Sequence, residues 1–302
     1  MKKLFLLCVL SILSIVSCGT PNVPSTFLSV PTLDLPFELL SLHDPLVQSE
    51  LLELGQLVQN RTSKDIYEIS QWHSSPIVKW NEISREWVAY YFHNPVVASR
   101  VYAIVSVSQQ RALDEIKKID LSLQSRLPQN LNEKIVSVDI GCEPFECAVL
   151  IGVAEQTLLY LFPNSAESIL NQVEEARQSL LVSGNIFPSD LDVGEAFGRS
   201  IAQEVIAERT NDGSATAGKS DPLLAGEGIW KPDPFQVSPQ APGWSKVTPW
   251  LLASADQFRS DSPPQYNSIE FNAALDEVYE IQQSVTHEQL AIADYWADEP
   301  GT

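Results

Sequence analysis

The chain has 302 residues, of which 44% are hydrophobic and 19% charged, enough to bury a large core as one long domain or two ordinary ones. Its formal net charge is −20 at pH 7. A surface this acidic repels nucleic-acid backbones and anionic headgroups, so phosphate-backbone binding is excluded as a main role and solubility is the simpler meaning.

The first residues read as an export signal. Lys2 and Lys3 form a positive end, and Leu4 to Val16 form an apolar run too short to span a membrane stably. The run ends Ile15-Val16-Ser17-Cys18-Gly19. Small residues before a cysteine resemble the bacterial lipoprotein box, in which the cysteine takes a diacylglyceryl group and becomes the new N-terminus. Residues 1–17 are therefore the expected signal peptide and Cys18 the expected lipid anchor, with ordinary secretion and nearby cleavage as the alternative. Losing Lys2 and Lys3 leaves the mature chain more acidic still. Acyl chains hold a protein on a membrane without a transmembrane helix. Gly19, rather than Asp, after the cysteine favours by the same resemblance the outer membrane, facing the periplasm. The Pro-, Ser- and Val-rich stretch up to Pro36 completes an 18–36 tether that lifts residues 37–302 off the membrane.

Beyond the tether, helical periodicity predicts an all-α bundle. Helices are expected near 46–60 and 78–92, and from Pro95 towards Lys118 with Val97, Val101, Ile104 and Val105 on the core face. Further helices are expected near 147–162 and 165–182. Another carries the stripe Val193, Phe197, Ile201 and Val205 behind Ser189 and Asp190 as cap candidates. The last two fall near 267–283 and 286–297. The best strand signal, "KIVSVDI" at 134–140, is isolated. Between Asn211 and Pro249 the chain is rich in Gly, Pro, Ser and Trp and fits no helix of normal length. Trp230, Trp244 and Trp250 would hold this long loop against the helices.

Cysteine and motif chemistry is sparse. Once Cys8 is cleaved away and Cys18 lipidated, Cys142 and Cys147 remain, bracketing "CEPFEC". An oxidising compartment permits a disulfide there; a pair of buried thiols is the alternative. "GSATAGKS" (213–220) matches the phosphate-binding loop pattern letter for letter. That loop works only between a buried strand and a helix. Here an amphipathic helix pattern precedes it, and Asp221-Pro222, Gly226 and Gly228 follow, so it reads as a flexible turn and no nucleotide is expected. His287-Glu288 opens like a zinc-protease helix but has Ala at 291. His43, His73 and His93 lack metal spacing, and Asp190, Asp192 and Glu195 read as solvated carboxylates. The residues alone mark no catalytic, cofactor or metal site.

Several longer phrases carry a resemblance. "NPVVASRVYAIVSVSQQRALDE" (94–115), "AEQTLLYLFP" (154–163), "AFGRSIAQEVIAERTNDGS" (196–214) and the Trp/Pro-rich 228–266 look like the N-terminal helical half of bacterial vanadium-dependent haloperoxidase-like proteins. These are relatives of the acid phosphatase and phosphatidic acid phosphatase type 2 superfamily. "EQLAIADYWADEPGT" (288–302) resembles the stretch just before that family's active-site helices, and Arg209 to Gly213 its R-x-x-D-G loop end. The resemblance covers about residues 75 to 302. It implies vanadate or phosphate held by K-x6-R-P, P-S-G-H and S-R-x5-H segments, where cationic and N–H donors cage the anion. None of these occurs here; Lys231-Pro232 and Arg199-Ser200 have the wrong spacing. The expectation is a front half, inactive alone, with a C-terminal half or second chain completing it. A non-catalytic envelope lipoprotein that binds or scaffolds is the alternative.

Overall fold

The computed structural model describes residues 39–118, 140–219, 226–229, 231 and 241–297. The signal, Cys18, the tether, Lys134 to Asp139 of the strand candidate, Ser220 and Trp230 lie outside the described residues. Within them the fold is all-α. The helices are α1 Pro45–Gln59, α2 Ser63–His73, α3 Pro76–Tyr90, α4 Pro95–Ile116, α5 Pro144–Leu161, α6 Ala166–Ser183, α7 Pro188–Arg209, α8 Ile269–Ser284 and α9 His287–Trp296.

Proline sets most of the helix starts. Pro45, Pro76, Pro95, Pro144 and Pro188 each stand in the first helical turn, where a missing N–H costs nothing. Asp44 and Asn94 supply the cap before two of them, accepting from the N–H groups of Leu46 and Val97. Two expectations are corrected by this rule. Helix α5 begins at Pro144, so Cys147 lies in its first turn. Helix α7 begins at Pro188 behind Phe187, which puts Ser189 and Asp190 inside the helix rather than at its cap. The cap comes instead from another helix: buried Glu50 of α1 accepts from the Ser189 N–H (3.0 Å) and hydroxyl (2.8 Å). Helix α2, absent from the sequence expectation, opens with a reciprocal box between Thr62 and Asp65 and buries Ile69, Trp72 and His73.

Helix α5 is the centre. It is apolar on every side because α3, α4, α6 and α7 all pack on it. Its length and composition would also let it cross a membrane, but the bundle already buries it. The closest packing is with α7, and glycine makes it possible. A methyl group on Gly152 of α5 would overlap the Glu195 backbone, and one on Gly198 of α7 the Val149 carbonyl. At Gly194 it would come within 2.7 Å of the Ala148 methyl. Phe197, Ile201 and Val205 fill the core beside this crossing, as their spacing predicts, while Val193 is half-buried.

The remaining ties are polar. Arg61 donates to the Val182 and Ser183 carbonyls (3.0 and 2.7 Å), closing the end of α6 at the left-handed Gly184. The Gly141 N–H donates to the His73 carbonyl at 2.7 Å. Beside it the structure joins Cys142 and Cys147 in a disulfide with Cα atoms 5.8 Å apart. His73 itself is 1% exposed. Its Nε2 faces Ser179 Oγ (2.8 Å) and the Ala176 carbonyl (3.2 Å), while its Nδ1 is buried with no partner. Burial pushes this imidazole down to about 4, and the Ala176 carbonyl offsets that only in part.

Two predictions follow from packing. Gly198→Ala should lower stability by about 1–3 kcal/mol through overpacking. Gly55→Ala in α1, where a methyl meets nothing within 4 Å, should instead raise it by about 0.5–1 kcal/mol through helix propensity. Urea midpoints of both variants check this pair, and a neutral Gly198→Ala would refute the close approach. For His73 the folded pKa lies below the unfolded 6.5, so protonation favours unfolding. Its contribution is intact above pH 6.5 and drains away as pH falls towards 4, a loss of about 2–4 kcal/mol. His73→Gln should flatten the stability profile in that window alone, measured as the difference from the native chain.

Candidate functional site

The phosphate-loop look-alike can be judged from its surroundings. Helix α7 leads into it, where a nucleotide-binding loop needs a strand. Gly213 takes the left-handed backbone (φ 94°) that this tight exit requires, against the Lys246 carbonyl. A 3-10 turn, Ser214–Thr216, follows. Four N–H groups of this loop are already engaged: Ser214 donates to the Asp212 carboxylate (2.9 Å), Thr216 to the Gly213 carbonyl, Ala217 to the Ser214 carbonyl and Lys219 to the Thr216 carbonyl. An anion cradle needs those donors free and no carboxylate among them.

The same region is a structural joint. Arg100 of α4 pairs with Asp212 at 2.8 Å and donates to the Arg209 carbonyl at 2.9 Å. Burial works against the Arg100 charge, but Asp212 and the Tyr160 hydroxyl more than compensate and hold it up. Burial also opposes the Asp212 charge, yet Ser214 and Arg100 keep its pKa below the ordinary value. Arg209 donates to the Pro249 carbonyl (3.1 Å) and lies over the Trp250 ring, 4.1 Å from its centroid. The Thr248 N–H donates to the Asp212 carbonyl, and the Gly243 N–H to the Ala217 carbonyl. Trp250 thus holds the end of the long loop on α7, and Trp244 is half-buried in a second 3-10 turn, Trp244–Lys246.

A second polar cluster corrects the reading of the carboxylates. Asp190 and Glu195 are buried; only Asp192 is exposed. Glu195 lies between Arg177 of α6 and Arg199 of its own helix; Arg177 also pairs with Asp192, and Arg199 with Glu155 of α5 at 2.7 Å. Burial raises the Glu195 pKa against the pull of both arginines. Arg177 and Glu155 lie on other helices, so sequence spacing could not reveal them; Arg199 is the i, i+4 neighbour of Glu195. This is a cross-helix strut, with its cations consumed by acids.

No other arrangement among the described residues resembles an oxyanion cage. A groove of about 570 Å³ between α2 and α6 is lined by Asp65, Glu68, Glu174 and Glu175, with Lys64 already paired to Glu68 at 3.1 Å. Among the described residues no group of three His, Cys, Asp or Glu side chains is placed to hold a metal. The histidines are scattered: His43 and His287 are exposed, His73 is buried under α6, and His93 stacks with Tyr91 and Phe162. Vanadate, which the resemblance implies for a complete family member, does not fit any of these sites.

What the described residues leave open is the C-terminal pair of helices. Neither α8 nor α9 contains a buried residue. Both are well formed locally: Ser268 accepts from the Phe271 N–H (3.1 Å), and Thr286 and Gln289 close a reciprocal box. Tyr266 packs on Gly228 and edge-on to Phe271, which ties the 226–229 turn to the start of α8. Leu275, Val278, Tyr279 and Ile281 on α8, and Leu290, Ile292, Tyr295 and Trp296 on α9, are exposed.

The loop geometry predicts that magnesium–ATP titrated calorimetrically into the chain gives no heat of binding; micromolar affinity abolished by Lys219→Ala would contradict it. Compared with known protein families, curated proteins and solved structures, the chain matches none of them.

Proposed function

We propose that the chain is a lipid-anchored envelope protein whose region 37–302 is the helical front half of a haloperoxidase-like or type 2 phosphatase-like fold. Its anion-binding segments are supplied from outside that region. The observation that carries this reading is the pair α8 and α9, formed and capped yet burying nothing. Helix α9 leaves Leu290, Ile292, Tyr295 and Trp296 exposed in ten residues, a density of large apolar side chains that packing against a further surface would cover. The sequence phrases that resemble the family support it as well. They fall on α4, the end of α5, α7 and the loop held by Arg209 and Trp250, a contiguous part of one bundle.

The second reading, a binding or scaffolding lipoprotein without catalysis, is favoured by the arginines. Those that are half-buried are committed to internal acids, carbonyls or Trp250. A tetrahedral oxyanion needs several convergent cationic and N–H donors, in an otherwise acidic chain. In both readings Cys18 anchors the protein to membrane lipid.

The two readings separate in one assay. Bromide oxidation with vanadate and peroxide, and hydrolysis of a phosphate ester, are measured on the purified chain with and without a family C-terminal half bearing P-S-G-H. The chain alone is expected to be inactive, and turnover on adding the half selects the first reading. Turnover by the chain alone would overturn both. Mass spectrometry of the native N-terminus should find acylated Cys18; a free thiol there would remove the anchor.

A further inference from the structure

We infer that α8 and α9 form a docking element for a protein surface with an apolar groove rimmed by lysine or arginine. The identity of the natural partner rests on the incomplete-bundle reading above; the chemistry of the surface does not. Phe271, Ala274, Leu275, Val278 and Ile281 recur at helical spacing and make one apolar stripe along α8. Leu275 is 55% exposed, and on α9 Tyr295 is 78% and Trp296 74% exposed. Large aromatic and aliphatic side chains in this density are what anchors of a protein interface are made of.

Charge selects among the possible occupants. From Ile269 to Trp296 the two helices carry Glu270, Asp276, Glu277, Glu280, Glu288 and Asp294, and no lysine or arginine. A helix that lies on a lipid surface has the opposite pattern, with basic residues flanking its apolar face. An anionic bilayer would repel this element. A second copy of the same helices would set these carboxylates against one another, a like-charge cost that works against self-docking. A basic rim is the remaining complement. It would be drawn in by the acidic flanks and fixed by the stripe.

The test uses the full chain carrying Cys18→Ser, so that no acyl group interferes, and a synthetic amphipathic helix of leucine and lysine as probe. Its leucine–glutamate counterpart is the control. Leucine–lysine peptide should bind, more weakly as salt rises, and the glutamate peptide should not. Leu275→Asp and Val278→Asp are placed on exposed positions, so folding is preserved, and helical circular dichroism checks it. Each adds a negative charge, which would strengthen a merely electrostatic association. Each should instead weaken binding by about tenfold or more. Binding unchanged or enhanced in both variants would overturn the proposal. So would flotation on phosphatidylglycerol vesicles, or dimerisation in sedimentation, that Leu275→Asp removes. Peptide binding without any haloperoxidase activity after addition of a family C-terminal half keeps the docking element and discards the family assignment.

Discussion

The backbone-to-backbone crossing of α5 and α7 is the constraint on which the rest of the bundle depends. Gly152 on one helix and Gly194 and Gly198 on the other let the axes approach until carbonyls occupy the space of side chains. With α7 this close, α5 is enclosed by neighbours on all sides and can carry apolar residues all round, Glu155 excepted where it meets Arg199. Apolar residues around the whole circumference give such a helix little preferred rotation by themselves. The glycines supply one, since a rotation of α5 would bring a larger side chain against the α7 backbone. Close packing in the core is therefore specified by the smallest residues rather than by the largest.

Polar groups then fix the order of the outer helices at their ends. Glu50 of α1 caps α7, Arg61 after α1 closes α6, and His73 at the end of α2 lies against α6 through Ser179 and Ala176. Along the flank, Arg177, Glu195, Arg199 and Glu155 link three helices in one chain of ion pairs. Buried pairs of this kind add little net stability, because desolvation offsets attraction, but removing one partner strands a charge. Their consequence is register: each of these contacts exists at only one relative position of the helices it joins.

Much of this was legible in the sequence. The stripes of α4 and α7 and the start at Pro95 placed those elements within a turn, because burial on one face and a missing N–H both leave local marks. Pro144 and Pro188 carried the same mark for two starts that the periodicity put elsewhere. Helix α2 was not read, since Ile66, Ile69 and Trp72 are diluted by polar neighbours; the Thr62–Asp65 pair was the available signal. Glu195 read as solvated because nothing within its own helix announces Arg177 or the burial around it. The spacing of Gly194 and Gly198 was visible, but its meaning depended on Gly152, far away in sequence and unremarkable on α5. Local marks reveal elements; partners brought together by the fold do not show until the fold is known.

The distribution of charge links this architecture to chemistry. Among the described residues Arg61, Lys79, Arg100, Arg111, Arg177, Arg199 and Arg209 are the half-buried cations, and each is occupied by an acid, a carbonyl or an aromatic ring. Freeing Arg100 or Arg177 for an oxyanion would leave buried Asp212 or Glu195 uncompensated, so these two positions cannot serve structure and catalysis together. The acids lack this restriction. On α8 and α9 they stand exposed beside apolar side chains with no cation in either helix. Positive charge and apolar cover are the two things this part of the molecule lacks. A surface bringing both is the complement that these two helices are built to meet.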